Sequence, residues 1–526
     1  MTCSLSTAAL AANDLPTIHA PSISYSGLSP VLIVLGVACT GVLAEAFLPR
    51  AQRFAAQVGL AAAGCIAALV AVIALAGRSE LTASSAVAVD GATLFIEGTL
   101  AALGLLSIGL LAERSVNVGG SALVTAAAVA VGSPDDRRLA TATEVQTEAF
   151  PLAMFALGGM MLFPASNNLL VMFVSLEVLS LPLYLMAGLA RHRRLLSQEA
   201  AMKYFLLGAF ASAFFLYGLA LIYGYAGTVN LRGILAGGQV SNRGDLLLLV
   251  GFGLLVVGLL FKASIAPFHS WTPDVYQGAP TPVTAFMASC TKIAAFGALL
   301  RVLYVGFGAA TWNWRPVMWA IAILSMLVGA VFGLTQTDVK RVLAYSSIAH
   351  AGFLTVGVIA LSRSGLSGTL FYLAAYGFGT LGAFAAVTVV RGPEGEEATH
   401  LSQWAGLARR SPLLAAAVTV FLLSLAGVPL TSGFIAKFVV FKAGVDAGLG
   451  PLVVVALVTS AIAAFYYLRI VVLMYFSDPP EDGASVAVPS IATQGVIGIT
   501  ALVTVFLGVY PQPILDVASR AAQLVS

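Results

Sequence analysis

Residues 259–302 read LLFKASIAPFHSWTPDVYQGAPTPVTAFMASCTKIAAFGALLRV. Two apolar runs flank a segment rich in Pro, Gly and polar groups, and each run carries one lysine, Lys262 and Lys292. A run of about 20 apolar residues is long enough to cross a bilayer core as a helix. Such runs recur from end to end of the 526 residues, of which 59% are hydrophobic and 9% charged. A soluble domain carries roughly 25% charged residues. The reading is an all-α integral membrane protein of about fourteen transmembrane helices. The spans begin at 31–48 and close at 491–510, and the fourth, 149–163, is short. The seventh (246–275) and twelfth (412–442) are too long for one straight crossing and carry Pro and Gly inside, so both are expected to be broken helices.

The breaks organise the chain. Lys262 precedes the Pro267 break, and Lys437 follows the GVPLTSG break at 427–433. The two spans are five apart, and an odd number of crossings reverses direction, so a true repeat is an inverted one. Matched broken helices in inverted halves point to an ion pathway near the midplane. The expected division is a tail at 1–30, three helices plus a cytoplasmic insertion at 31–148, inverted five-helix repeats at 149–304 and 317–476, and a final helix and tail at 491–526. Within the insertion, the apolar run 121–131 is too short to span and reads as an interfacial helix or a family insertion. Arg50, Arg53, Arg114, Arg137, Arg138, Arg191, Arg193, Arg194, Lys340, Arg341, Arg391, Arg409 and Arg410 fall in alternate loops. The positive-inside rule makes that side cytoplasmic and sets both termini outside.

Several function classes are disfavoured. The net charge is only +3, with no basic tract, so nucleic acid is not an expected partner. Cys3, Cys39, Cys65 and Cys290 are scattered, without C-x-x-C pairs or His at ligand spacing, so no metal or Fe–S site is expected in this chain. No nucleotide-binding glycine motif follows a predicted strand. No Lys or Arg precedes the first apolar run, so a cleavable signal peptide is not expected.

Charges inside the spans carry the functional signal. Glu177 lies mid-span in NNLLVMFVSLEVLSLPLYLMAGLA, and Lys262, Lys292 and Lys437 lie within apolar runs. Each costs roughly 2.5–3.5 kcal/mol at a helix centre, on the order of 10 kcal/mol for four if unpaired. One buried lysine is readily a static partner or a snorkelling side chain, but four beside two broken helices favour proton transfer. A carbonyl freed by Pro267, that of Ala263, can bind water or an ammonium where the backbone lines a wet cavity. Lys203 lies near a span end with Glu199 at i−4, so a surface pair competes with function. His269 and His350 suit proton relay by their chemistry, although a lone histidine is more often a packing residue.

The 259–302 stretch, with VKRVLAYSSIAHAGF, GVPLTSGFIAKF and SLEVLSLPLYL, resembles the antiporter-like membrane subunits of the proton-pumping NADH:quinone oxidoreductase (respiratory complex I), and among them the subunit N family. The resemblance implies that Glu177 pairs with Lys262, that Lys292 is the central lysine, and that Lys437 exchanges protons with the outer side. It also places Lys203, His269 and His350 along the pathway. NADH, FMN, Fe–S clusters and quinone would then belong to the complex and not to this chain. The partners would be antiporter-like and small membrane subunits, the lipid bilayer and, indirectly, the soluble redox arm, in a bacterial plasma membrane. A multi-subunit cation/proton antiporter subunit and an energy-converting hydrogenase subunit share the module. Sodium-dependent flux or the co-purified soluble arm separates them.

Overall fold

The structure is a computed structural model that describes residues 22–117, 120–124, 129–130, 132–135, 138, 145–234, 236, 246–392, 395–479 and 484–525. Its helices are α1 (Ser29–Phe47), α2 (Arg50–Ala74), α3 (Gly91–Leu111), α4 (Ala149–Ala165), α5 (Leu169–Ala187), α6 (Arg194–Ala226), α7 (Leu246–Ala263) and α8 (Trp271–Gly278). Then follow α9 (Thr281–Gly306), α10 (Thr311–Leu334), α11 (Val339–Ile359), α12 (Arg363–Val389), α13 (Pro412–Ala426), α14 (Ser432–Asp446), α15 (Gly450–Phe476), α16 (Ile491–Val509) and α17 (Gln512–Ala521). Two small antiparallel pairings occur between the helices, the hairpin of Glu80–Thr82 with Val87–Val89 and the long-range pairing of Val390–Arg391 with Ser485–Val486.

Polar caps start several of the spans. Asp90 accepts from Thr93 N at 2.9 Å, Asn168 from Leu170 N at 2.9 Å, Asp338 from Arg341 N at 3.1 Å and Ser362 from Gly365 N at 3.0 Å. Each satisfies a backbone donor that the first helical turn leaves without a partner.

Among the described residues, twelve helices are long and apolar enough to cross a membrane, so the chain is a multi-pass membrane protein. The count of fourteen expected from hydropathy exceeds this number. Two shorter apolar helices account for the gap: α4, with 17 residues, and α13, with 15, rise only about 22–25 Å. Both expected breaks are present. The seventh span divides into α7 and α8 around Ser264–Ser270, and the twelfth into α13 and α14 around Gly427–Thr431. Ser264 (φ 61°), Gly427 (φ 85°) and Leu430 (φ 70°) turn the chain through the left-handed region there.

Burial ranks the helices. α9 is buried along its whole span and α11 and α12 along 94% of theirs, against 28% for α1 and α2, so these three form the centre. Of the insertion, residues 121–124 form no helix. Leu123 bridges Ala190, and Ser121 O accepts from Arg191 Nε at 2.8 Å, which folds the segment onto the α5–α6 loop. Residues 1–21, Arg137 and most of 125–144 lie outside the described residues.

Beside that loop, Glu397 accepts from Thr281 Oγ1 at 2.6 Å and faces Lys340 Nζ at 3.3 Å. Burial pushes its carboxyl up, but Lys340, Arg391 and the Thr281 hydrogen bonds outweigh this and hold it at about 2, below the ordinary 4.5. A depressed carboxylate stabilises the fold above its unfolded pKa. The contribution, about 3 kcal/mol, is present above pH 4.5 and lost as pH falls from 4.5 toward 2. Hydrogen exchange of residues 395–400 is expected to accelerate across that window, and Glu397→Gln to show the fast exchange already at pH 7.

Candidate proton-transfer site

Lys262 sits in the last turn of α7, where the chain breaks and exposes its amine to the α5–α6 wall. Its Nζ donates to Ser180 Oγ at 2.8 Å and to Tyr204 Oη at 3.1 Å, and lies 5.1–5.5 Å from the faces of the Tyr204 and Tyr184 rings. Tyr204 is held by stacking on Trp271 at 4.6 Å, and Trp271 Nε1 donates to Phe261 O at 3.0 Å. The break thus positions the hydroxyl that meets the lysine.

One expected contact is absent here. No ion pair joins Glu177 to Lys262; Glu177, one turn from Ser180 on α5, is half-buried, and its Oε1 has no hydrogen-bond partner. The Ser180 and Tyr204 hydroxyls satisfy the ammonium in its place, and Glu177 acts on Lys262 through space. The amine also bonds hydroxyls and not the Ala263 carbonyl.

Lys292 follows a π-helical turn, Met287–Thr291, in the middle of α9. Such turns free backbone groups and are frequent at functional sites. Lys292 Nζ donates to Ser347 O on α11 at 2.5 Å and lies 5.5 Å from the Tyr376 ring. One turn along α11, His350 Nδ1 shares a hydrogen bond with Tyr372 Oη at 2.7 Å, and Nε2 with Tyr467 Oη at 3.4 Å. Tyr467 Oη in turn shares a short hydrogen bond with Ser346. His350 lies within electrostatic reach of both Lys292 and Lys437.

Lys437 completes the row. Its Nζ donates to Leu425 O, Ala426 O and Ser460 Oγ, each at 2.9 Å, and stands 5.1 Å from the Phe353 ring. Carbonyls freed at a helix break do bind the ammonium, here at α13 and not at α7. Gly427 makes room: a Cβ there would lie 3.0 Å from Lys437 Cδ and 3.1 Å from Nζ, in a backbone that disfavours side chains. Gly427→Ala is therefore expected to lower proton pumping several-fold without removing any charge, measured as proton uptake by vesicles holding the assembled complex.

The side chains of Lys262, Lys292 and Lys437 retain 6% exposure or less, which excludes snorkelling to headgroups within this fold. Lys203 stands apart from them. Its side chain is 40% exposed, and Nζ bonds Asp274 Oδ2 at 2.6 Å and Glu199 Oε1 at 2.7 Å, while Asp274 Oδ1 takes Arg341 Nη1 at 2.8 Å. His269 lies half-buried in the α7–α8 break with Nδ1 unpartnered, and no hydrogen bond joins it to the lysines among the described residues.

A further intramembrane acid, Glu97 on α3, is missing from the sequence-based set. It is buried, with no hydrogen bond among the described residues, beside the Asp90–Arg301 ion pair (2.8 Å). α3 packs on α9 where Ile96 fills the space beside Gly297 and Leu103 meets Ile293 near Gly377, which sets Glu97 between the levels of Arg301 and Lys292. Its place in FIEGTLAALG carried the same signal as Glu177.

Residues 166–463 match the family model described as NADH:quinone oxidoreductase/Mrp antiporter, transmembrane. The NADH-quinone oxidoreductase subunit N of Saccharopolyspora erythraea is 59% identical over 95% of this chain and 98% of its own length. A chain of Thermus thermophilus respiratory complex I with bound aureothin superposes with a TM-score of 0.75 at 34% identity, over 93% of this chain and 99% of its own. A chain of the Mrp complex from Dietzia sp. shares the fold, with a TM-score of 0.77 at 22% identity over 95% of this chain and 97% of its own. The chain belongs to the NADH:quinone oxidoreductase/Mrp antiporter membrane family and, within it, to the NADH-quinone oxidoreductase subunit N family.

Proposed function

We propose that this chain is a redox-silent proton-translocating module of NADH:quinone oxidoreductase, with Glu177, Lys262, Lys292, His350 and Lys437 as its proton-handling groups. The observation that carries the reading is the state of the three lysines. Each is buried in the protein interior, and each donates to hydroxyls or backbone carbonyls with no carboxylate in contact among the described residues. A purely structural charge would be paired, because an uncompensated one is costly.

Electron transfer from NADH to quinone, on FMN and Fe–S clusters of partner subunits, supplies the free energy. A charge shift arriving along the neighbouring membrane subunits changes the field that Glu177 sets at Lys262, and the proton moves by way of Lys292 and His350 to Lys437. Moving one charge against about 150 mV costs roughly 3.5 kcal/mol. A countercharge brought to 4–6 Å changes proton affinity by about 1–3 pKa units, up to roughly 4 kcal/mol, so one switched contact has sufficient size. Helices 149–304 and 317–476 serve as the two inverted halves. The bacterial plasma membrane holds the chain with both termini outside and the Arg191 and Lys340 loops inside. Lys203 serves as an ion pair at the mouth, and His269 as a polar group of the break.

The test is Glu177→Gln in the assembled complex. Coupled turnover is expected to fall at least about tenfold, or 1.4 kcal/mol, while native gels show intact complex. Normal proton pumping by an intact Gln variant contradicts the reading, and failure to assemble favours a structural role.

A further inference from the structure

Four of the buried polar atoms that lack a hydrogen-bond partner belong to residues that line one small cavity: Arg391 Nε and Nη2, Asn117 Nδ2 and His192 Nε2. The cavity lies where the α5–α6 loop, Asn117, Ala122, the α8–α9 turn and the strand at Arg391 meet, and none of Lys262, Lys292 and Lys437 lines it. Three of the four atoms are N–H donors, and the fourth is a donor in one tautomer of His192. A water in such a place would find groups to accept from and few to donate to. An anion, which only accepts, fits the set.

Charge agrees with the donor pattern. Arg191, Arg193, Lys340 and Arg391 line the cavity against one carboxylate, Glu397. That carboxylate is already engaged by Thr281 N, Thr281 Oγ1 and Lys340 Nζ. Glu397, Glu113 and Glu396 act on Arg391 from a distance, but no ion pair reaches it among the described residues. Glu113 is itself taken by Ser115 and Ser490. Arg391 is 2% exposed, and leaving buried charged donors without acceptors costs about 1–3 kcal/mol or more. Its Nε and Nη2 form the side-on edge of the guanidinium, two N–H bonds directed to the same side, where one acceptor can take both.

Size selects the ligand. The cavity volume is about 20 Å³, more than one water needs and less than two need. Phosphate and nucleotides do not fit. We propose that this cavity is a binding site for a single monovalent anion of chloride size, held by Arg391 and Asn117. The bound anion ties the α5–α6 loop to the Glu397–Thr281 contact at the head of α9.

The test uses crystals of the assembled complex with bromide in place of chloride. The native complex is expected to show an anomalous peak within hydrogen-bond reach of Arg391 Nη2. Asn117→Leu is expected to raise the bromide concentration for half occupancy at least tenfold, and Arg391→Met to remove the peak. A native site holding only water, a site filled by a side chain of a neighbouring subunit, or a peak unchanged in Arg391→Met overturns the proposal. If Arg391→Met does not assemble, the native peak and the Asn117→Leu titration decide.

Discussion

Lys262→Ala in the assembled complex is expected to reduce NADH-driven proton pumping by at least about tenfold, with the complex still present in the membrane. The size follows from the contacts. The amine donates to both Ser180 and Tyr204, and alanine leaves both hydroxyls in place without the amine that carries the proton from α5 toward α9. Positioned acid–base groups contribute about 10²–10⁴ in rate, so a tenfold fall is a conservative floor that lies below that range. Proton uptake per NADH oxidised, measured in vesicles, distinguishes loss of pumping from loss of enzyme. Coupled pumping at the normal ratio would sink the assignment of Lys262.

Arg301→Met is expected to have the largest effect on stability. Arg301 and Asp90 are an ion pair at 2.8 Å with side-chain exposures of 1% and 0%. The guanidinium also donates to Thr93 Oγ1 at 2.8 Å and Pro164 O at 2.6 Å, while Asp90 accepts from Val525 N at 2.9 Å. The pair therefore clamps the start of α3, the end of α4 and the C-terminal segment to α9. Removing one partner of a buried pair costs about 3–5 kcal/mol, because the remaining charge is uncompensated. Arg301→Met should sharply reduce the yield and melting temperature of the complex. Arg301→Met with Asp90→Asn should recover part of the loss, since asparagine keeps the cap on Thr93 N without the charge. A double variant no more stable than Arg301→Met alone would show that charge burial is not the cause.

Local composition made much of this fold readable. Apolar runs, Pro267 and the GVPLTSG segment located the membrane helices and both breaks, because in oil every backbone group must bond internally and a break is tolerated only within protein. The span count was less readable, since α4 and α13 are shorter than a hydropathy window implies. The site was legible as a set of charges but not as a set of contacts. Lys262, Lys292 and Lys437 are all buried. Which acceptor each one finds depends on the hydroxyls of Ser180, Tyr204 and Ser460 and on the backbone carbonyls of Ser347, Leu425 and Ala426, groups that in an apolar run look like ordinary helix packing. The expected Glu177–Lys262 pair was displaced by two such hydroxyls. Lys203 met Asp274 across 71 residues of sequence, a contact that its local partner Glu199 only half announced. Glu97 and the Arg301 clamp carried visible signals in the sequence, and their meaning emerged only when α3 was seen to lie along α9.

Lys292 offers the sharpest division between function and architecture. It is 1% exposed and has no carboxylate partner among the described residues, so Lys292→Met keeps the volume and removes a buried charge, a change that a structural role would tolerate or favour. The decisive measurement is the number of protons moved per NADH oxidised by vesicles holding the Lys292→Met complex. A lower ratio in a complex at least as heat-stable as the native one is the predicted result. An unchanged ratio at unchanged turnover would contradict proton transfer through this chain's lysines.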